Sequence, residues 1–124
     1  MKIGFIGLGN VGGKLANSLL RNKFNLTVRD LDQNLIKSFT DLGAKTANSP
    51  RELAEQVDLI ITCLPSPQIC AEVMEADDGI LNGLSKNKIW LEMSTTDEAE
   101  VKRLGNKVVA KNAIPLDGPV SGGC

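Results

Sequence analysis

The chain has no histidine and no tyrosine among its 124 residues. His-based acid/base chemistry, His-ligated metal and a Tyr proton donor are therefore excluded, and no metal site is expected. Cysteine is sparse: Cys63, Cys70 and Cys124 are odd in number and form no CxxC pair. That usage fits a reducing compartment rather than a disulfide framework, so a cytoplasmic setting is expected. No apolar run reaches the 18 residues of a membrane span, and a glycine-rich turn interrupts the N-terminal region before a signal-peptide core could develop. Charge of either sign is not in excess: 14 basic and 15 acidic residues leave a net charge of -1. Such a chain has no basic field to condense on nucleic acid or an anionic membrane, and neither is expected as a partner. Repeats and low-complexity linkers are also missing.

What is present is ordinary globular material, with 42% hydrophobic and 23% charged residues. Its length suits one domain over residues 1–124 with a single core, stable without disulfide or metal. Short β-branched or apolar runs alternate with segments of helical period, the pattern of βαβ units in a mainly parallel sheet. Strands are expected at Ile3 to Ile6, Leu26 to Arg29, Lys45 to Ala47, Leu59 to Leu64, Ile89 to Leu91 and Ala113 to Leu116.

Between them, Val11 to about Leu20 carries an apolar stripe. Asp32 can cap a second helix that Gly43 stops. Ser49-Pro50-Arg51-Glu52 reads as a capping box, and Ser66-Pro67 repeats the cap-plus-proline signal. Thr96 can cap a last helix with Asp97, Glu98 and Glu100 in its first turn. Right-handed crossovers in this order give an α/β, three-layer αβα, doubly wound sheet of strand order 3-2-1-4-5-6, a Rossmann-type fold.

The chemistry concentrates at the first turn. Gly7-Leu8-Gly9-Asn10-Val11-Gly12 leaves the first strand and opens the first helix. In such a turn the first glycine permits the tight bend, the second lets backbone approach a diphosphate, and the third lets helix and strand lie close. Free N–H groups at the helix start face the anion. The companion acid is due about 20 residues on, at the end of the second strand. Asp30 stands 18 positions after Gly12. A carboxylate there can accept ribose hydroxyls, whereas a 2′-phosphate would meet like charge, so NAD is favoured over NADP. Arg29 could pair with a phosphate, but strand alternation points it away from Asp30.

Cys63-Leu64-Pro65-Ser66 ends the fourth strand beside the first, across the switch point where such sheets take ligands. Leu64 and Pro65 are placed to pack on the cofactor, or else to stiffen the loop; Cys63 is read as packing. Met93-Ser94-Thr95-Thr96 holds the equivalent place after the fifth strand, where a hydroxyl could meet the nicotinamide half or cap a helix.

Taken with Cys63-Leu64-Pro65, Met93-Ser94-Thr95 and Asp117-Gly118-Pro119-Val120-Ser121-Gly122-Gly123, the glycine loop makes the whole chain resemble the amino-terminal domain of the β-hydroxyacid dehydrogenases. The terminal Pro-Val-Ser-Gly-Gly is the most specific element. The resemblance implies cofactor contacts from Leu64, Pro65 and Thr95, and a substrate carboxylate held by Ser121, Gly122 and Gly123. N–H groups and a hydroxyl suit an anion that needs only donors. It also implies oxidation of a small 3-hydroxy acid to a semialdehyde, a helical domain that completes the site, and a homo-oligomer when that domain is present.

Two departures limit the match. The family's Asn after Leu-Pro falls near Ile69, so its contact is missing or displaced to Gln68. The family's catalytic Lys lies on a helix beyond Ser-Gly-Gly, past Cys124, so this chain is expected to bind without turning over and its end to be a cut. Two other readings stand beside this one. One is a non-catalytic NAD-binding module; the other is a reductase of the ketopantoate or imine type, which has no use for Asp117 to Gly123.

Overall fold

The computed structural model describes residues 1–93 and 97–117. Six parallel strands alternate with five α-helices: β1 (Lys2–Ile6), α1 (Asn10–Arg21), β2 (Asn25–Arg29), α2 (Gln33–Thr40), β3 (Lys45–Thr46), α3 (Pro50–Gln56), β4 (Leu59–Thr62), α4 (Pro67–Glu75), β5 (Ile89–Glu92), α5 (Glu98–Ala110) and β6 (Ile114–Asp117). They pair in the order β3-β2-β1-β4-β5-β6, as the crossover pattern predicts. The chain works outward from β1 through β2 to β3, then returns to β1's other side with β4, whose Ile3↔Leu59 to Ile6↔Thr62 register brings the carboxyl ends together.

Two core clusters cover the two faces of the sheet. Phe5, Ala16, Val28, Ile36 and Phe39 join β1 and β2 to α1 and α2. Ile60, Trp90, Leu53, Met74, Leu104 and Val108 join β4 and β5 to α3, α4 and α5 on the other. Burying a large side chain of this kind contributes about 1.5–3 kcal/mol, which is why nearly continuous apolar strands settle in the middle layer. Ile114 and Leu116 of the edge strand β6 remain exposed.

Local signals fix the boundaries. Asp32 caps α2 by accepting from Asn34 N at 2.9 Å. Ser49 and Ser66 cap α3 and α4, accepting from Glu52 N at 3.0 Å and Ile69 N at 3.2 Å, each with proline following. The reciprocal arm of the capping box is replaced: the Glu52 carboxylate accepts from Gln56 Nε2 instead.

At the end of α2, Gly43 (φ 109°) donates to the Thr40 carbonyl and Ala44 to that of Phe39, the paired bonds that close a helix. The same pair of bonds ends α1 with Lys23 at φ 65° and α5 with Asn112 at φ 61°, two stops that carry no glycine signal.

Differences from the expected elements are small and have causes. β4 ends at Thr62 rather than Leu64, because its partner β1 ends at Ile6, where Gly7 turns the chain away: Ile6↔Thr62 is the last register pair, and the Cys63 N–H makes the final bond, to Ile6 O. α5 is capped by Asp97, which accepts from Glu100 N at 3.1 Å, rather than by Thr96, which lies outside the described residues. β6 begins one residue later than expected because Ala113 N is occupied in closing α5 on Val108 O. A 3₁₀ turn over Ile80–Gly83 has no counterpart in the predicted elements, being too short to show a period.

Candidate functional site

The carboxyl ends of β1, β2 and β4 open on a cleft of about 680 Å³. Its floor is the glycine loop. Gly7 turns the chain at φ 103°, and a Cβ there would overlap the Cys63 carbonyl of β4's extension. A Cβ at Gly12 would overlap the Gly7 carbonyl. Both glycines are therefore required by the protein itself. Gly9 differs: φ is -67° and a Cβ there would meet no protein atom within 4 Å. Its missing side chain leaves open space at a residue that lines the cleft.

Above this loop α1 begins at Asn10, with Gly9 as its N-cap and no acidic residue in its first turn. The leading N–H groups of a helix have no intrahelical acceptor, and here neither the cap residue nor the first turn carries an acid to offset the positive dipole end. An anion is the complementary ligand. Asn10 and Val11 line the cleft alongside Gly9 and Gly12. Leu8 does not: its side chain is 2% exposed in the α1–α2 core, and its N–H is the residue's contribution to the site.

That N–H donates to Asp30 Oδ2 at 2.7 Å, while Asp30 Oδ1 accepts from Asp32 N at 2.9 Å. Half-buried at the end of β2, Asp30 both lines the cleft and ties the glycine loop to the second strand. Each carboxylate oxygen keeps lone-pair capacity for a further donor. Arg29 also reaches the cleft wall, but its Nη1 donates to the Ala47 carbonyl at 2.9 Å.

On the opposite wall, Leu64 and Pro65 line the cleft, with Ile69 and Val73 of α4 beyond them. Gln68 is exposed, so an apolar Ile69 stands on the wall at the position of the family's Asn. Thr95, Ser121, Gly122 and Gly123 lie outside the described residues. Cys63 is buried beneath the loop.

One cluster went unread in the sequence. Glu92 is 1% exposed, and its Oε2 accepts from Thr62 Oγ1 at 2.7 Å and from Cys70 Sγ at 2.9 Å. Trp90 Nε1 in turn donates to Thr62 Oγ1 at 3.0 Å. Burial, reinforced by the neighbouring Glu92 charge, pushes the Cys70 thiol far above its ordinary range, so it stays protonated as a donor. The available signal was period: Trp90 and Glu92 share a face of β5, and that face is buried.

An open α/β sheet with a glycine turn feeding a helix N-terminus, and an acid at the end of the second strand, defines the class of Rossmann dinucleotide-binding domains. Residues 2–124 match the family model described as the NAD binding domain of 6-phosphogluconate dehydrogenase. The chain belongs to that family, within the β-hydroxyacid dehydrogenases. Mouse mitochondrial 3-hydroxyisobutyrate dehydrogenase is 39% identical over 121 residues, covering 98% of this chain and 36% of that protein. The chain thus spans about a third of the length of such relatives.

The solved 3-hydroxyisobutyrate dehydrogenase of Salmonella typhimurium superposes with a TM-score of 0.89 at 28% identity, over 99% of this chain and 43% of the other. An imine reductase of Myxococcus stipitatus in complex with NADP+ shares the fold (TM-score 0.87, 18% identity, 97% of this chain and 41% of that one). No helix among the described residues is long and apolar enough to cross a membrane.

Proposed function

We propose that residues 1–124 form one domain that binds NAD in preference to NADP, as the cofactor half of a dehydrogenase oxidising a small 3-hydroxy acid to its semialdehyde. The observation that carries the reading is Asp30. Its carboxylate sits on the cleft wall beside the open Gly9 edge, where it can accept ribose hydroxyls and repels a 2′-phosphate. Arg29, the nearest cation on that wall, is engaged by Ala47 O.

In this reading the N–H groups of Gly9 to Gly12 hold the diphosphate, Asn10 and Val11 border it, and Leu64 and Pro65 pack on the cofactor's ribose side. Gly7 and Leu8 keep the loop in place. Thr95 is assigned to the cofactor, and Ser121, Gly122 and Gly123 to the substrate's carboxylate and hydroxyl end. NAD supplies the hydride acceptor when bound; this chain's residues position it and exclude water. No acid/base is assigned within residues 1–124. The chain by itself is expected to bind and not to turn over, since losing a general acid/base typically costs about 10² to 10⁴ in rate. The reading includes a cytoplasmic setting, in keeping with an odd cysteine count and no CxxC pair in the sequence, and a homo-oligomer when the family's helical domain is present.

Calorimetric titration of NAD and of NADP into the chain and into Asp30→Ala tests it. NAD is expected to bind more tightly than NADP, and the substitution to erase the difference. Binding of neither, or preference for NADP with a silent substitution, overturns the reading.

A further inference from the structure

Glu92 is the one buried carboxylate among the described residues, and the proposed function gives it no part. Burying a carboxylate is costly, and well-packed apolar groups often serve stability as well or better. A carboxyl group kept in such a place therefore calls for a geometric reason. Its location supplies one. Oε2 takes the hydroxyl of Thr62, the last residue of β4, and the thiol of Cys70, in the first half of α4. Thr62 leads directly into Cys63, Leu64 and Pro65, and Cys70 follows Ile69 directly; all four of these neighbours line the cleft. Trp90 completes the set by donating to the same hydroxyl. The bonds thus join β4, β5 and α4 directly behind one wall of the cleft.

We infer that Glu92 is a positioning residue of the dinucleotide cleft: its buried carboxylate holds α4 against the carboxyl ends of β4 and β5, and so sets where Leu64, Pro65, Ile69 and Val73 stand. The alternatives differ in what they demand. Simple core filling would be satisfied by any side chain of the same volume and would leave the folded cleft unchanged. A positioning role requires an acceptor oxygen at this point, and it links Glu92 to Cys70 energetically. The inference rests on the reading of the cleft as a dinucleotide site.

The test uses the 124-residue chain, NAD as probe, calorimetry for Kd, and the emission of fully buried Trp90 as the check that each variant is folded. Glu92→Ala is expected to raise Kd about tenfold. Cys70→Ala, which removes only the α4 donor, is expected to raise it severalfold, and the double variant to be no worse than Glu92→Ala alone, the signature of coupled partners. Glu92→Gln keeps an acceptor oxygen and is expected to bind within about twofold of the parent. Lower melting temperatures with an unchanged Kd overturn the inference, as does additivity or a failure of Gln to rescue. If Glu92→Ala does not fold, Cys70→Ala decides alone on the same criterion. A parent chain that binds no NAD overturns the proposed function and this inference together, whereas a parent that binds, with variants that match it, overturns this inference only.

Discussion

The Asp30 carboxylate accepts a 2.7 Å hydrogen bond from the backbone N–H of Leu8, across 22 positions of sequence. One side chain therefore serves two purposes, locking the glycine loop to β2 and presenting its remaining lone pairs to the cleft. The consequence is that removing it harms the site twice. Asp30→Ala is expected to weaken NAD binding by about 10- to 100-fold and to lower stability by about 1–3 kcal/mol, since Leu8 N–H loses a charge-assisted acceptor in a half-buried place. Asp30→Asn keeps an acceptor for Leu8 and is expected to recover most of the stability and less of the binding. Urea unfolding beside calorimetry checks the split; a variant that loses stability but binds as before refutes the ribose assignment.

The three loop glycines separate folding from binding. Gly7→Ala and Gly12→Ala place a Cβ against a carbonyl of the protein, and Gly7 adds a positive φ; each is expected to destabilise the chain by several kcal/mol, by analogy with overpacked or strained sites. Gly9→Ala meets only open space. It is expected to melt within about 1 kcal/mol of the parent and yet to lose NAD affinity by tenfold or more. Equal melting and equal affinity for Gly9→Ala would place the diphosphate elsewhere.

Lys23 closes α1 in the left-handed region at φ 65° with no Cβ-free residue to ease it. A left-handed L-residue costs about 1–2 kcal/mol, offset in part by the greater unfolded-state freedom of glycine. Lys23→Gly is expected to raise stability by about 0.5–1 kcal/mol while leaving NAD affinity unchanged, because Lys23 lies at the far end of α1 from the loop. Chemical denaturation is the measurement, and a lower midpoint contradicts it.

These residues also show why some of the molecule was legible in the sequence and some was not. The strand order followed from alternating apolar runs and crossover rules, and the caps at Asp32, Ser49 and Ser66 followed from local chemistry that acts within four residues. The loop and Asp30 could be read because their spacing is imposed by one βαβ unit. The Leu8–Asp30 bond could not, since it joins two strands at a distance that only the finished sheet defines. Glu92 was missed for a related reason: in sequence it is an acid ending a strand, and only the arrival of Thr62 and Cys70 from β4 and α4 makes it a buried acceptor. Lys23 was hidden because a forced left-handed lysine carries no residue signature.

A last expectation concerns acid. Arg103 of α5 donates to both oxygens of Glu75 of α4, at 2.8 and 2.6 Å, and to Glu100 at 2.7 and 2.9 Å, with Lys107 also paired to Glu75. The Arg103 hydrogen bonds, then those of Lys107, hold the Glu75 carboxyl down at about 2 against an ordinary 4.5. Arg103 holds Glu100 below its ordinary value as well. A carboxyl whose folded pKa is depressed contributes stability that is complete above the unfolded pKa and is lost as pH falls through the folded one. The contribution of this network is therefore present above about pH 4.5 and drains away towards about pH 2. With Glu75 and Arg103 side chains 27% and 41% exposed, screening keeps the Glu75 pair to about 1 kcal/mol or less. Glu75→Gln is expected to flatten the acid limb of a stability-against-pH curve and to leave the curve above pH 6 parallel to the parent's. A Gln variant that steepens the acid limb would mean that the α4–α5 network opposes folding instead of supporting it.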